Sequence, residues 1–173
     1  MRFTSLRLLI IQAALLVGGT SFAMELKVGD IAPTEIVLEG VLSTGEAILG
    51  PIHTSPEPHQ SYTLLEFFET ENTASKQNLF PLYEISLDTQ EYVQTRLIAI
   101  NREIADVKAF VSNNKEDIRF PVHFDNHQDA LRAFGVTQVP TIFILKNEKE
   151  VIYKYSGAIT SEVRKQILSA VGF

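Results

Sequence analysis

Ala133-Phe134-Gly135-Val136-Thr137-Gln138-Val139-Pro140-Thr141-Ile142-Phe143-Ile144-Leu145 is the stretch on which the fold turns. Ala130 to Phe134 reads as a short helix, and Gly135 follows where helices often end in a left-handed residue. Thr141 to Leu145 is a run of β-branched and aromatic residues, the composition of a buried strand. Pro140 stands at the mouth of that strand. Proline is tolerated there because the first residue of a strand can spare its ladder N–H.

Working outward, Asn147-Glu148 supplies a turn into a second strand, Val151 to Tyr155, which makes a β-hairpin. Val163, Ile167, Leu168 and Val171 then fall on one face of a last helix. Upstream, Phe120 to Phe124 reads as a strand. Ile104, Val107, Phe110 and Val111 lie on one helix face, and Arg96 to Asn101 reads as a buried strand. Tyr62 to Phe68 (Tyr-Thr-Leu-Leu-Glu-Phe-Phe) is apolar enough for a central strand. After it come a polar stretch, Glu69 to Lys76, and a helical pattern through Leu79, Leu82, Tyr83 and Leu87, interrupted by Pro81. Thr34 to Leu38 and Glu46 to Leu49 are two short strand candidates. The proline-rich stretch 50–60, which holds His53 and His59, reads as a surface loop. The order β-β, β-α-β-α-β-α, β-β-α predicts a central sheet covered by helices on both faces and made mixed by the closing hairpin.

The chain has 173 residues, 45% of them hydrophobic and 21% charged, and no cysteine. Its length and composition suit one globular domain. The missing cysteine excludes a disulfide framework, a thiolate nucleophile, Cys-ligated zinc and iron–sulfur clusters from these residues.

Arg2 and Arg7 precede an apolar run, Leu8 to Val17, and Ser21-Phe22-Ala23 has the small-x-small form of a cleavage site. Residues 1–23 are expected to be a secretory signal, because an apolar run of about 10 residues is half what a membrane span needs. The rival reading is an uncleaved N-terminal anchor. Lipidation is excluded for want of a cysteine. Cleavage would remove two of 15 basic residues and no acid, leaving 13 against 21 and taking the net charge from −6 to −8. The expected location is periplasmic or secreted. An acidic chain without a basic run implies no nucleic-acid partner, and no membrane insertion is expected after cleavage.

Four segments together resemble the thioredoxin superfamily, nearest the TlpA-like thiol-disulfide reductases of its redoxin branch, with peroxiredoxins second. They are Val28-Gly29-Asp30-Ile31-Ala32-Pro33 with Ile36-Val37-Leu38; Phe67-Phe68 with the turn leading to a helix containing Pro81; Phe120-Pro121-Val122 with Asp125 and Ala133-Phe134-Gly135-Val136; and Val139-Pro140-Thr141-Ile142-Phe143 with Gly157. The resemblance spans about Leu26 to Leu168. It implies a three-layer α/β/α sandwich over residues 24–173, with a mixed central sheet and a cis peptide at Val139–Pro140. It also implies that Asn72-Thr73-Ala74-Ser75 stand where the family has Cys-x-x-Cys, with Glu71 in place of the usual Trp.

In that family a helix N-terminus stabilises a thiolate, and the residue before the cis-proline offers its backbone to an extended substrate. Here Asn72 is expected to act as an N-cap. The resemblance therefore implies a redox-inactive module. Glu71, Val139 and Pro140 would flank a binding surface for an envelope protein or an extended peptide segment. The alternatives are a family-labelled thiol-disulfide oxidoreductase or peroxiredoxin-like protein with a degenerate site, and a protein of another class. That last class would use Ser75 or Thr73 as a nucleophile, or His123 and His127 (with Asp125 and Asp129 nearby) as metal ligands. A hydroxyl nucleophile needs an adjacent base, and only Glu69, Glu71 and Lys76 lie nearby in sequence. Glu66, Glu69 and Glu71 are expected to be solvated. No cofactor is implied.

Overall fold

The strand Tyr62–Phe68 has no alternation of apolar and polar residues, and from Thr63 onward every residue in it is buried. Such a strand belongs in the middle of a sheet covered on both faces. The computed structural model, which describes residues 24–33, 36–41, 47–51, 60–147 and 149–173, places it there. The expected signal segment and the loop histidines His53 and His59 lie outside the described residues.

In chain order the elements are β1 (Val37–Val41), β2 (Ala47–Pro51), β3 (Tyr62–Phe68), α1 (Thr73–Thr89), β4 (Val93–Ala99), α2 (Ile104–Asn113), β5 (Val122–Phe124), α3 (Asp129–Ala133), β6 (Thr141–Lys146), β7 (Glu150–Ser156) and α4 (Ser161–Ala170). One sheet of seven strands runs β2-β1-β5-β4-β3-β6-β7. The β3/β4 and β4/β5 pairs are parallel; the remaining pairs are antiparallel. This is the mixed sheet that the element order predicts.

The pleat sorts side chains into two cores. Leu64, Phe68, Leu97, Ile142 and Ile144 face Leu79, Leu82 and Ile85 of α1, Val107 of α2 and Ile167 of α4. Leu65, Phe67, Ile98, Phe143 and Leu145 face Ala130 of α3, Phe134 and the N-terminal residues Leu26 and Ala32. Phe67, Phe134 and Phe143 form a ring cluster with centroids 5.2–5.9 Å apart. Helices therefore cover both faces, giving an α/β/α sandwich.

Several strand boundaries differ from expectation. β1 ends at Val41 rather than Leu38, because Glu39, Gly40 and Val41 pair with Phe124, His123 and Val122 of β5, and β2 runs to Pro51 rather than Leu49 through its pairing with Val37. β4 begins at Val93 rather than Arg96, because Val93–Thr95 pair in register with Tyr62–Leu64. β5 begins at Val122 rather than Phe120: Pro121 has no N–H to donate, although its carbonyl accepts the Leu97 N–H at 3.0 Å. Residues 24–33 form a strap over the second core, bonded through Leu26 N–H to Phe134, Gly29 N–H to Val151 and Ala32 N–H to Lys149. The strap crosses Gly135, which has φ +61°; a Cβ there would overlap the backbone of Met24 and Glu25.

Candidate functional site

Parallel strands β3 and β4 end on the same side of the sheet, and α1 begins just beyond β3. That is where open α/β sheets present their ligand crevice. Asn72 is the N-cap of α1, with extended backbone at φ −74°, ψ 124°. Its Oδ1 accepts the Ser75 N–H at 3.0 Å, satisfying one of the helix's free donors. Its Nδ2 donates to the Val139 carbonyl at 3.3 Å, across the site.

The Val139–Pro140 peptide is cis. Its loop is braced on both sides. Thr141 Oγ1 donates to the Gln138 carbonyl at 2.7 Å and lies 2.7 Å from Ser156 Oγ, and Gly157 N–H donates to the Pro140 carbonyl at 2.9 Å. The structure therefore brings Asn72 beside Val139 and Pro140. Thr73 is exposed, Ala74 and Val139 are half-buried, and Ser75 and Pro140 are buried. Glu71 is exposed and reaches Lys76 at 3.4 Å, a surface pair of small energetic weight.

Ser75 is 1% exposed, and its Oγ faces the Glu69 N–H at 3.5 Å. Among the described residues no imidazole or carboxylate is bonded to that hydroxyl, so the arrangement has no base for an activated nucleophile.

Glu66 corrects the expectation of three solvated acids. Strand alternation turns it toward α1, where it is 1% exposed and accepts from Asn78 Nδ2 at 3.1 Å. Burial pushes its carboxyl up to about 8, only partly offset by the Asn78 hydrogen bond. Asn78 also donates to the Gly157 carbonyl at 3.3 Å and accepts the Ile159 N–H at 2.7 Å. This buried polar network links β3, α1 and the β7–α4 connection directly behind the cis-proline loop. Its signal in the sequence is one acid inside a run of residues that are otherwise buried on both faces.

His123 and His127 are not brought together. His123 lies within β5, 6% exposed, with Nε2 3.5 Å from an Arg96 guanidinium nitrogen. Burial and then the Arg96 charge hold its pKa down at about 4. A neighbouring guanidinium also repels a metal cation. His127 is exposed in the following turn. Among the described residues no three His, Cys, Asp or Glu side chains cluster to hold a metal. Asp125 instead shapes the backbone, accepting the N–H groups of Asp129, Ala130 and Leu131 at 2.8, 3.3 and 2.8 Å.

No protein-family model matches the chain. It is 30% identical over 77 residues to the thiol-disulfide oxidoreductase ResA of Bacillus thuringiensis subsp. konkukian. That match spans 43% of this chain and 43% of the relative, less than half the length of either. The fold superposes on a Chlorobium tepidum protein assigned as the thiol:disulfide interchange protein DsbE, with TM-score 0.71 and 22% identity, covering 86% of this chain and all of the other. It also superposes on the mitochondrial 2-Cys peroxiredoxin of Plasmodium falciparum, with TM-score 0.64 and 17% identity, covering 83% and 93% of the two chains. Among the described residues no helix is long and apolar enough to cross a membrane. The chain has a thioredoxin-like fold, and over those 77 residues its sequence is similar to a thiol-disulfide oxidoreductase.

Proposed function

We propose that this chain is an exported, redox-inactive thioredoxin-like module that binds an extended segment of another cell-envelope protein. The observation that carries the reading is the Asn72–Val139 hydrogen bond. It sets the helix start against the cis-proline loop as in a thiol-disulfide site, at a position where no sulfur exists to transfer electrons. What remains at that surface is backbone and small polar side chains, the means by which extended peptides are recognised.

Export is supported by residues 1–23, with their basic start, apolar run and small-x-small end. Recovery of partners from envelope extract on immobilised wild-type protein, compared with Val139→Asp, tests the reading. Val139→Asp puts a charge on the half-buried wall of the surface, and partner recovery is expected to drop at least tenfold. Equal recovery on both would refute the assignment of this surface.

A further inference from the structure

Glu66 stands inside β3, 1% exposed, where Gln would accept the same Asn78 hydrogen bond with no charge to bury. What an acid adds at that place is a proton that can leave. Leu97 of β4 and Ile142 of β6 flank Glu66 in register. Tyr155 of β7, next to Ile142, is the titratable group in that row, and its hydroxyl donates to the Ala158 carbonyl at 3.2 Å. The buried residues of α1, α2 and α4 include no ionisable side chain. On the outer sides of these helices, Lys76 pairs with Glu71, and Arg164 with Glu84 and Asp88.

The hydrogen bonds of Asn78 lead from that carboxyl to the cis-proline loop. Its Nδ2 donates to Glu66 Oε2 at 3.1 Å and to the Gly157 carbonyl at 3.3 Å, which commits both of its protons. Its Oδ1 accepts the Ile159 N–H at 2.7 Å. Gly157 then donates its own N–H to the Pro140 carbonyl at 2.9 Å. The path Glu66–Asn78–Gly157–Pro140 is continuous and ends on the surface that Asn72 reaches through Val139.

We propose that Glu66 and Asn78 form a positioning pair that makes the geometry of the cis-proline surface depend on protonation. An ionised acceptor forms the stronger hydrogen bond. Loss of the proton therefore draws the Asn78 amide toward β3, at the expense of the longer donation to Gly157. Gly157 is thereby released from one side, and its bond to Pro140 loosens. The protonated form holds the surface in the arrangement described above. What that surface is used for rests on the peptide-binding reading; the coupling is a property of the chain alone.

Amide NMR of the purified chain, titrated from about pH 6 to about pH 10, tests this without a partner. The variants are Glu66→Gln, which keeps the acceptor, and Asn78→Ala, which cuts the path. In wild type the amides of Gly157, Ile159, Val139 and Thr141 and the Asn78 side-chain NH₂ are expected to shift together, with a common midpoint near the value of about 8 that burial gives Glu66. Glu66→Gln should abolish that midpoint. In Asn78→Ala the shifts should persist at Glu66 and Phe67 and vanish at Val139 and Thr141. Should Asn78→Ala fail to fold, the Asn78 NH₂ signals of wild type decide in its place. Loop amides that do not titrate, that titrate unchanged in either variant, or that move while the Asn78 NH₂ stays still overturn the proposal. Equal partner recovery by wild type and Val139→Asp would refute the binding surface and leave these shifts as they are.

Discussion

The side chain of Asn72 holds two elements at once: Oδ1 caps the Ser75 N–H at 3.0 Å, and Nδ2 reaches the Val139 carbonyl at 3.3 Å. Asn72→Ala loses both and is expected to cost about 1–2 kcal/mol. Asn72→Asp keeps an acceptor for the cap but faces the Val139 carbonyl with no donor, so its loss should come from the second bond. Urea denaturation of the three proteins separates the contributions. An alanine variant as stable as wild type would remove this bond from the account.

A cysteine pair placed at these positions should close. The residue 72 side chain already reaches the backbone of residue 75, Ser75 is buried and Asn72 half-buried at the helix start. Asn72→Cys with Ser75→Cys is expected to lose two hydrogens by mass under mild oxidation and to show a thiol pKa below the ordinary value, through the helix N-terminus. A pair that stays reduced would mean that the turn has departed from disulfide geometry.

Stability should respond to pH through two buried groups of opposite sense. Glu66, raised from 4.5 to about 8 by burial, keeps a proton in the native state that the unfolded chain has lost. Its contribution therefore falls as pH rises from 4.5 to 8. His123, lowered from 6.5 to about 4, stays neutral in the native state while the unfolded chain takes a proton below 6.5. Its contribution is therefore lost as pH drops from 6.5 toward 4. The two oppose each other between 4.5 and 6.5, and Glu66 alone of this pair acts from 6.5 to 8. Unfolding free energy is expected to decline across that upper window, by at most about 1.4 kcal/mol per unit, and Glu66→Gln should flatten the decline. Denaturant titrations at several pH values check it; an unchanged slope in Glu66→Gln would assign the decline to other groups.

Gly135→Ala should loosen the N-terminal strap. The added methyl meets the backbone of Met24 and Glu25, and φ +61° is a conformation that a side chain disfavours. A loss of about 1 kcal/mol or more is expected, with faster amide exchange at Leu26, Gly29 and Ala32, whose N–H groups bond the body of the domain. Wild-type exchange rates would show that the strap moves aside without cost.

The long apolar strands and the order of elements were legible because burial on both faces leaves a run such as Leu64-Leu65 or Ile142-Phe143-Ile144 no other place in a fold. The Asn72 cap was legible for the same kind of reason: its chemistry is local, three residues long. Glu66 was not, since an acid among other acids (Glu69, Glu71) reads as solvated until the strand's neighbours are known. Its partner Asn78 lies 12 residues away on another element. The Val139 bond to Asn72 spans 67 residues and needed the fold itself. The buried state of His123 follows from β5 lying between β1 and β4, a placement that three residues of strand do not announce.

The most direct test of the binding account is photocrosslinking in cells, with a photoreactive residue at Thr73, the exposed first residue of α1 next to Asn72, and a control at Lys165, exposed on α4. A discrete envelope-protein adduct at Thr73, absent at Lys165, is the predicted result. No adduct at Thr73, or the same adducts from both positions, would contradict it.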